Sequence, residues 1–122
     1  DHRDLHSFPT RRSSDLICNG TDAPVESVDP IKNYYSSVTR IYDGNKEFYP
    51  DQKMSRLEAL KAYTVNGAYA SFEEKIKGRI AKGMLADFTL LSNNLLTCPQ
   101  NEILNTRVLS TIVGGKVVYS AK

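Results

Sequence analysis

Asp22 and Glu26 are the acidic residues of one short segment, Gly20-Thr21-Asp22-Ala23-Pro24-Val25-Glu26, which follows the apolar start Ile17-Cys18. A carboxylate just past the end of a buried strand has two chemical uses. Hydrolysing an amide needs a strong nucleophile at neutral pH and a proton for the leaving amine. A divalent metal lowers the pKa of bound water, and a carboxylate beside it binds the metal and shuttles the proton. The plainer reading makes Asp22 an Asx-turn or cap residue in a proline-containing loop. Taken by themselves, the residues favour that plainer reading. Glu26 reads as a solvated loop charge. Arg40 reads as a structural or surface ion-pair residue rather than as the partner of a substrate carboxylate. Cys18 and Cys98 are the only cysteines and lie far apart, which suits packing thiols better than a disulfide or ligands.

His2, Asp4, His6 and Asp15 would make a second ligand set, and Arg11-Arg12 a basic patch. Both readings fall with the segment that carries them. Residues 1–16 have neither a helical nor a strand period, and they resemble, codon for codon, the translation of a common short-read sequencing adapter. A stretch of that origin is excluded from fold reasoning. His2 and His6 are the only histidines, so the remainder, 17–122, has none. The chain starts at Asp1 without a methionine or an apolar leader, and the expectation is of a cut or incompletely read chain.

The elements that would position Asp22 are readable from residue 17 onward. The start at Ile17-Cys18 suits the end of a buried strand, and 20–24 a loop. Asp29-Pro30 is a cap followed by a first-turn proline, and Ile31, Tyr34, Tyr35, Val38 and Ile41 recur at helical spacing, predicting a helix over 30–41. Residues 42–46 read as a turn. Ser55-Arg56-Leu57-Glu58 is a capping box. Leu57, Leu60, Tyr63, Thr64, Gly67, Ala68 and Ser71 then share one face of a helix predicted to run to about 72. The tyrosines at 34, 35, 63 and 69 read as core or interface. After Gly78 the period changes: 84–91 reads as a turn into a buried strand, 99–104 as a helical turn, and 107–113 and 116–119 as strands joined by the hairpin pair Gly114-Gly115.

Composition is that of an ordinary globular domain, 40% hydrophobic and 25% charged over 122 residues. A net charge of +2 is too small to argue for nucleic acid or an anionic membrane. No apolar run approaches the ~20 residues of a membrane-spanning helix.

The segment 20–26 is similar to the Gly-Ser-Asp-Ala-Pro-Val-Glu stretch of amidohydrolase family 3, the metal-dependent hydrolases that include N-substituted formamide deformylases. Asp29-Pro30, Val38-Thr39-Arg40, the run from Ser55 to Thr64 and Gly67-Ala68-Tyr69-Ala70 resemble the same family. Lys77-Gly78-Arg79-Ile80-Ala81-Lys82-Gly83-Met84-Leu85-Ala86-Asp87 resembles a segment found widely in amidohydrolases, with Met84 where lysine is common. Thr111 to Tyr119 resembles the usual C-terminal strand pair. Single motifs of this kind are weak; five in the family's order are specific.

The resemblance implies an α/β fragment. Residues 17–76 would be the C-terminal end of a TIM barrel, with 17–22 as its last strand and exit. Residues 77–122 would be the C-terminal part of a composite β-sandwich. Active sites of such barrels lie at the C-terminal ends of the strands, where Asp22 falls. It implies that Asp22 is a metal ligand and proton shuttle, that the parent uses a divalent metal, zinc first among them, and that it acts on a small amide-type substrate. Asp87 would be a turn residue fixing a sandwich strand.

Because a zinc site takes three or four ligands, one aspartate is expected neither to hold a metal tightly nor to make this chain active alone. No feature decides the compartment; a cytoplasmic parent is slightly favoured over an exported one. The competing reading is a non-catalytic α+β interaction module with Asp22 as a loop residue. Deleting residues 1–16 is expected to leave the thermal melt of the chain unchanged; a substantial loss of stability on deletion would contradict the reading of that segment.

Overall fold

A computed structural model describes residues 16–42 and 45–122. The readings of His2, Asp4, His6, Arg11, Arg12 and Asp15 lie outside these, as does part of the turn at 42–46. Helix α1 (Pro30–Thr39) starts where the cap chemistry puts it: the Asp29 carboxylate accepts from the Ile31 N–H at 2.9 Å, and Pro30 opens the first turn. It stops two residues before the predicted end. Arg40 adopts the left-handed conformation (φ 57°) and its N–H bonds the Ser36 carbonyl, which closes the last turn and turns the chain outward. Ile41–Tyr42 (β1) then pairs antiparallel with Lys46–Glu47 (β2).

The capping box at the start of α2 (Arg56–Tyr63) is formed in both directions: Glu58 N–H donates to Ser55 Oγ at 3.3 Å and Ser55 N–H to Glu58 Oε2 at 2.8 Å. Those Ser55 bonds hold the Glu58 carboxyl below its usual pKa. The helix predicted over 56–72 is two helices. It breaks at Thr64 (φ −125°, ψ −94°), and α3 (Val65–Ala70) resumes at a new angle. Thr64 Oγ1 bonds back to the Leu60 carbonyl, and Val65, Asn66 and Gly67 are weak helix formers that give the break no resistance. The buried face also differs from the prediction. Ala68 is buried as read, but Leu57, Thr64 and Ser71 are exposed, and Ala59 and Ala62 are buried instead, because small side chains let other backbone come close.

Past α3 the chain turns through Gly78, which has φ 97° and would place a Cβ only 2.7 Å from that of Ala68. The strands are β3 (Phe88–Leu91), β4 (Val108–Val113) and β5 (Lys116–Ser120), antiparallel in that order. Of the turn and strand read over 84–91, the strand is Phe88–Leu91, entered from a turn at 82–83 through residues 84–87, which form no regular element. Positive φ at both Gly114 and Gly115 gives the tight β4–β5 hairpin. Register puts Phe88, Ile112 and Val117 in one row. Where a buried strand is predicted, Phe88, Thr89 and Leu90 are exposed, and Leu91 is the half-buried residue, packed against the core.

The core lies at the other end. Ile31 and Tyr34 of α1 and Ala59 of α2 pack on Leu95 and Ile103, with Tyr35, Val38, Leu60, Tyr63, Leu91 and Cys98 around them. Tyr69, by contrast, is exposed. Ile103 sits in a short 3-10 turn, Gln100–Asn105, and is 0% exposed. Ile103→Ala is expected to lower the midpoint of a denaturant melt clearly, and Leu104→Ala, at an exposed neighbour, to leave it nearly unchanged. Equal shifts at the two positions would contradict this placement of the core.

Candidate functional site

Residues 17–21 form an extended segment with no strand partner among the described residues. Helix side chains hold it instead. Asn66 Nδ2 donates to the Ile17 carbonyl at 2.9 Å, and Asn33 Nδ2 donates to the Gly20 carbonyl at 2.6 Å. Asn19 donates through its backbone N–H to the Ala62 carbonyl (3.1 Å) and through its side chain to Ser37 Oγ (2.9 Å). Buried Ala62 is what lets the segment come this close. Cys18 is exposed, not packed as expected, and its thiol donates to the Asn66 carbonyl at 3.2 Å.

The segment ends in the turn that carries Asp22. Asp22 is exposed and left-handed (φ 53°), a conformation aspartate tolerates better than most residues, and its carbonyl accepts from Val25 N–H at 2.8 Å. Glu26 follows, exposed. Behind the turn stands Tyr63, whose hydroxyl oxygen is buried without a formed hydrogen bond. Burial raises its pKa above the ordinary value; the adjacent Asn33 side chain opposes the rise and the Asp29 carboxylate adds to it.

A bound metal would need three or four ligands. Among the described residues no three His, Cys, Asp or Glu side chains are grouped to hold one, so these residues do not by themselves fit a metal. A crevice of about 380 Å³ opens beside Arg40, Tyr42 and Phe48, and another of about 600 Å³ between Asp29, Arg107 and Tyr119; Asp22 lines neither.

The other chemistry-bearing residues are placed apart from Asp22. Arg40 Nε donates to the Phe48 carbonyl at 2.9 Å, and its guanidinium stacks over the Phe48 ring at 5.4 Å, which ties down the β1–β2 excursion. Asp87 Oδ1 accepts from Gly114 N–H at 2.7 Å and so fastens the hairpin to the turn before β3, a structural role as read from the sequence. Cys98 lies at the core edge. Its carbonyl accepts from Arg56 Nη1 at 2.5 Å, and the same nitrogen reaches the Leu95 carbonyl at 3.1 Å. Sequence reasoning missed Arg56, Asn33 and Asn66. The available signal was asparagine within helices, where it is a poor former and needs a reason.

The profile described as the Amidohydrolase family matches residues 7–119. The chain belongs to the amidohydrolase family. The match takes in residues 7–16, within the stretch read above as adapter-derived. Among similar proteins, YtcJ of Bacillus subtilis, whose name places it with amidohydrolases, is 32% identical over 93% of this chain and 22% of its own length. LONG AFTER FAR-RED 3 of Arabidopsis thaliana is 33% identical over 85% of this chain and 18% of its own. The N-substituted formamide deformylase of Arthrobacter pascens is 29% identical over 94% and 22%. The chain thus spans about a fifth of the length of these relatives. A crystal structure of an amidohydrolase from Thermotoga maritima shares the fold, with a TM-score of 0.64 at 22% identity over 87% of this chain and 23% of that one.

Proposed function

We propose that this amidohydrolase chain is the C-terminal portion of a longer hydrolase that cleaves amide-type C–N bonds, with Asp22 as the residue it supplies to the reaction centre. In this reading 17–76 end a barrel and 77–122 complete part of a β-sandwich. The observation that carries the proposal is the family match from 7 to 119, together with an exposed Asp22 that follows a segment bonded to α1, α2 and α3.

The chemistry asked of Asp22 is proton transfer. Its carboxylate accepts a proton from water as the oxygen bonds the carbonyl carbon, then gives that proton to the amine nitrogen as the C–N bond breaks. The divalent metal implied by the family, zinc first among candidates, takes Asp22 from this chain and its other ligands from outside residues 16–122. The deformylase relative directs attention to N-substituted formamides, alongside simple amides, as a small-molecule substrate class. One observation favours the non-catalytic reading: Asp22 has no ligand group around it among the described residues.

Asp22→Asn in the full-length hydrolase separates the two. Amine release from a panel of N-substituted formamides and simple amides is expected to fall by about 10²–10⁴ in kcat, with the protein still folded. Full retention of kcat on any substrate the wild type turns over would remove Asp22 from the reaction.

A further inference from the structure

We propose that Asn33 is the positioning residue of the Asp22 turn, an inference that rests on the reading of Asp22 given above. Asn33 stands one turn into α1, a helix fixed at its start by the Asp29 cap and on its inner face by Ile31 and Tyr34 in the core. Its amide N–H reaches out of the helix to the Gly20 carbonyl at 2.6 Å, two residues before Asp22. Its own carbonyl accepts from Ser37 Oγ at 2.9 Å, and Ser37 Oγ in turn accepts from Asn19 Nδ2, so the segment is fastened to α1 at both Asn19 and Gly20. The turn at 22–25, which Asp22 opens with φ 53°, follows directly on the Asn33–Gly20 bond, and among the described residues the segment before it has no strand partner. A side chain anchored in the core is a more exact support than a loop-to-loop contact.

Asn33→Asp keeps the shape and removes the donor. Two backbone amides flank the anchor as reporters: Asn19 N–H, bonded to Ala62, and Val25 N–H, bonded to Asp22. Ala59 N–H, bonded to Ser55 inside α2, is the reference. In the full-length hydrolase, loss of the hydrogen bond to the exposed Gly20 carbonyl is expected to speed hydrogen exchange at Asn19 and Val25 by about three- to tenfold in both Asn33→Asp and Asn33→Ala, with Ala59 changed by less than about twofold. Unchanged exchange at Val25, or a rise at Ala59 in step with it, would overturn the proposal.

In the full-length hydrolase, Asn33→Asp is expected to lower kcat about tenfold with KM within about twofold, because the support acts on the proton-transferring group rather than on substrate binding. A loosened turn with wild-type kcat would also overturn it. If Asp22→Asn leaves activity intact while Asn33→Asp still lowers kcat with the turn loosened, it is the proton-transfer role of Asp22 that fails, and Asn33 still positions the turn.

Discussion

Tyr34 is the point on which the described structure turns. Its ring is 2% exposed, and its hydroxyl lies between the carbonyls of Arg56 at 3.1 Å and Leu95 at 3.2 Å, which belong to α2 and to the loop before the 3-10 turn. Burial raises the hydroxyl's pKa, opposed by the nearby Arg56 guanidinium. Arg56 itself reaches across to the Leu95 and Cys98 carbonyls. One aromatic side chain thus fixes α1 relative to α2 and both relative to the 92–106 stretch. From that fixed α1 project the groups that hold the segment leading to Asp22. Loosening Tyr34 would move the candidate site without touching it.

The remaining surface is shaped for something more. Phe72 is 93% exposed, Ile80 85%, and Val25, Val28 and Val117 are also exposed, while β3 and β5 end the sheet with edges that pair with no other strand among the described residues. Soluble monomers rarely present apolar area in this quantity, and open strand edges recruit other strands. Two buried side-chain oxygens, on Tyr63 and Glu74, have no hydrogen-bond partner among the described residues. The chain spans about a fifth of the length of its relatives.

Much of this was legible in the residues because it is local. The Asp29-Pro30 cap, the Ser55–Glu58 box, the Gly114-Gly115 hairpin and the fastening role of Asp87 each need only a few neighbouring residues to form. The break at Thr64 was not legible, because a helical period continues through it and only the back-bond to Leu60 and the demand on Asn66 interrupt it. The buried alanines of α2 were passed over for larger Leu57, since periodicity ranks residues by hydrophobicity and not by how closely backbone must approach. For the site, Asp22 was found through resemblance rather than through its own pattern. The asparagines that hold its segment lie 13 and 49 residues from their carbonyl partners, a relation no spacing rule reaches.

In the proposed reading these are surfaces of a larger amidohydrolase and not of a self-sufficient module. Size-exclusion chromatography over a range of protein concentrations, paired with a denaturant melt, tests it most directly. The account predicts concentration-dependent association and a broad transition at low denaturant. A compact monomer at every concentration, unfolding in one cooperative transition, would contradict it.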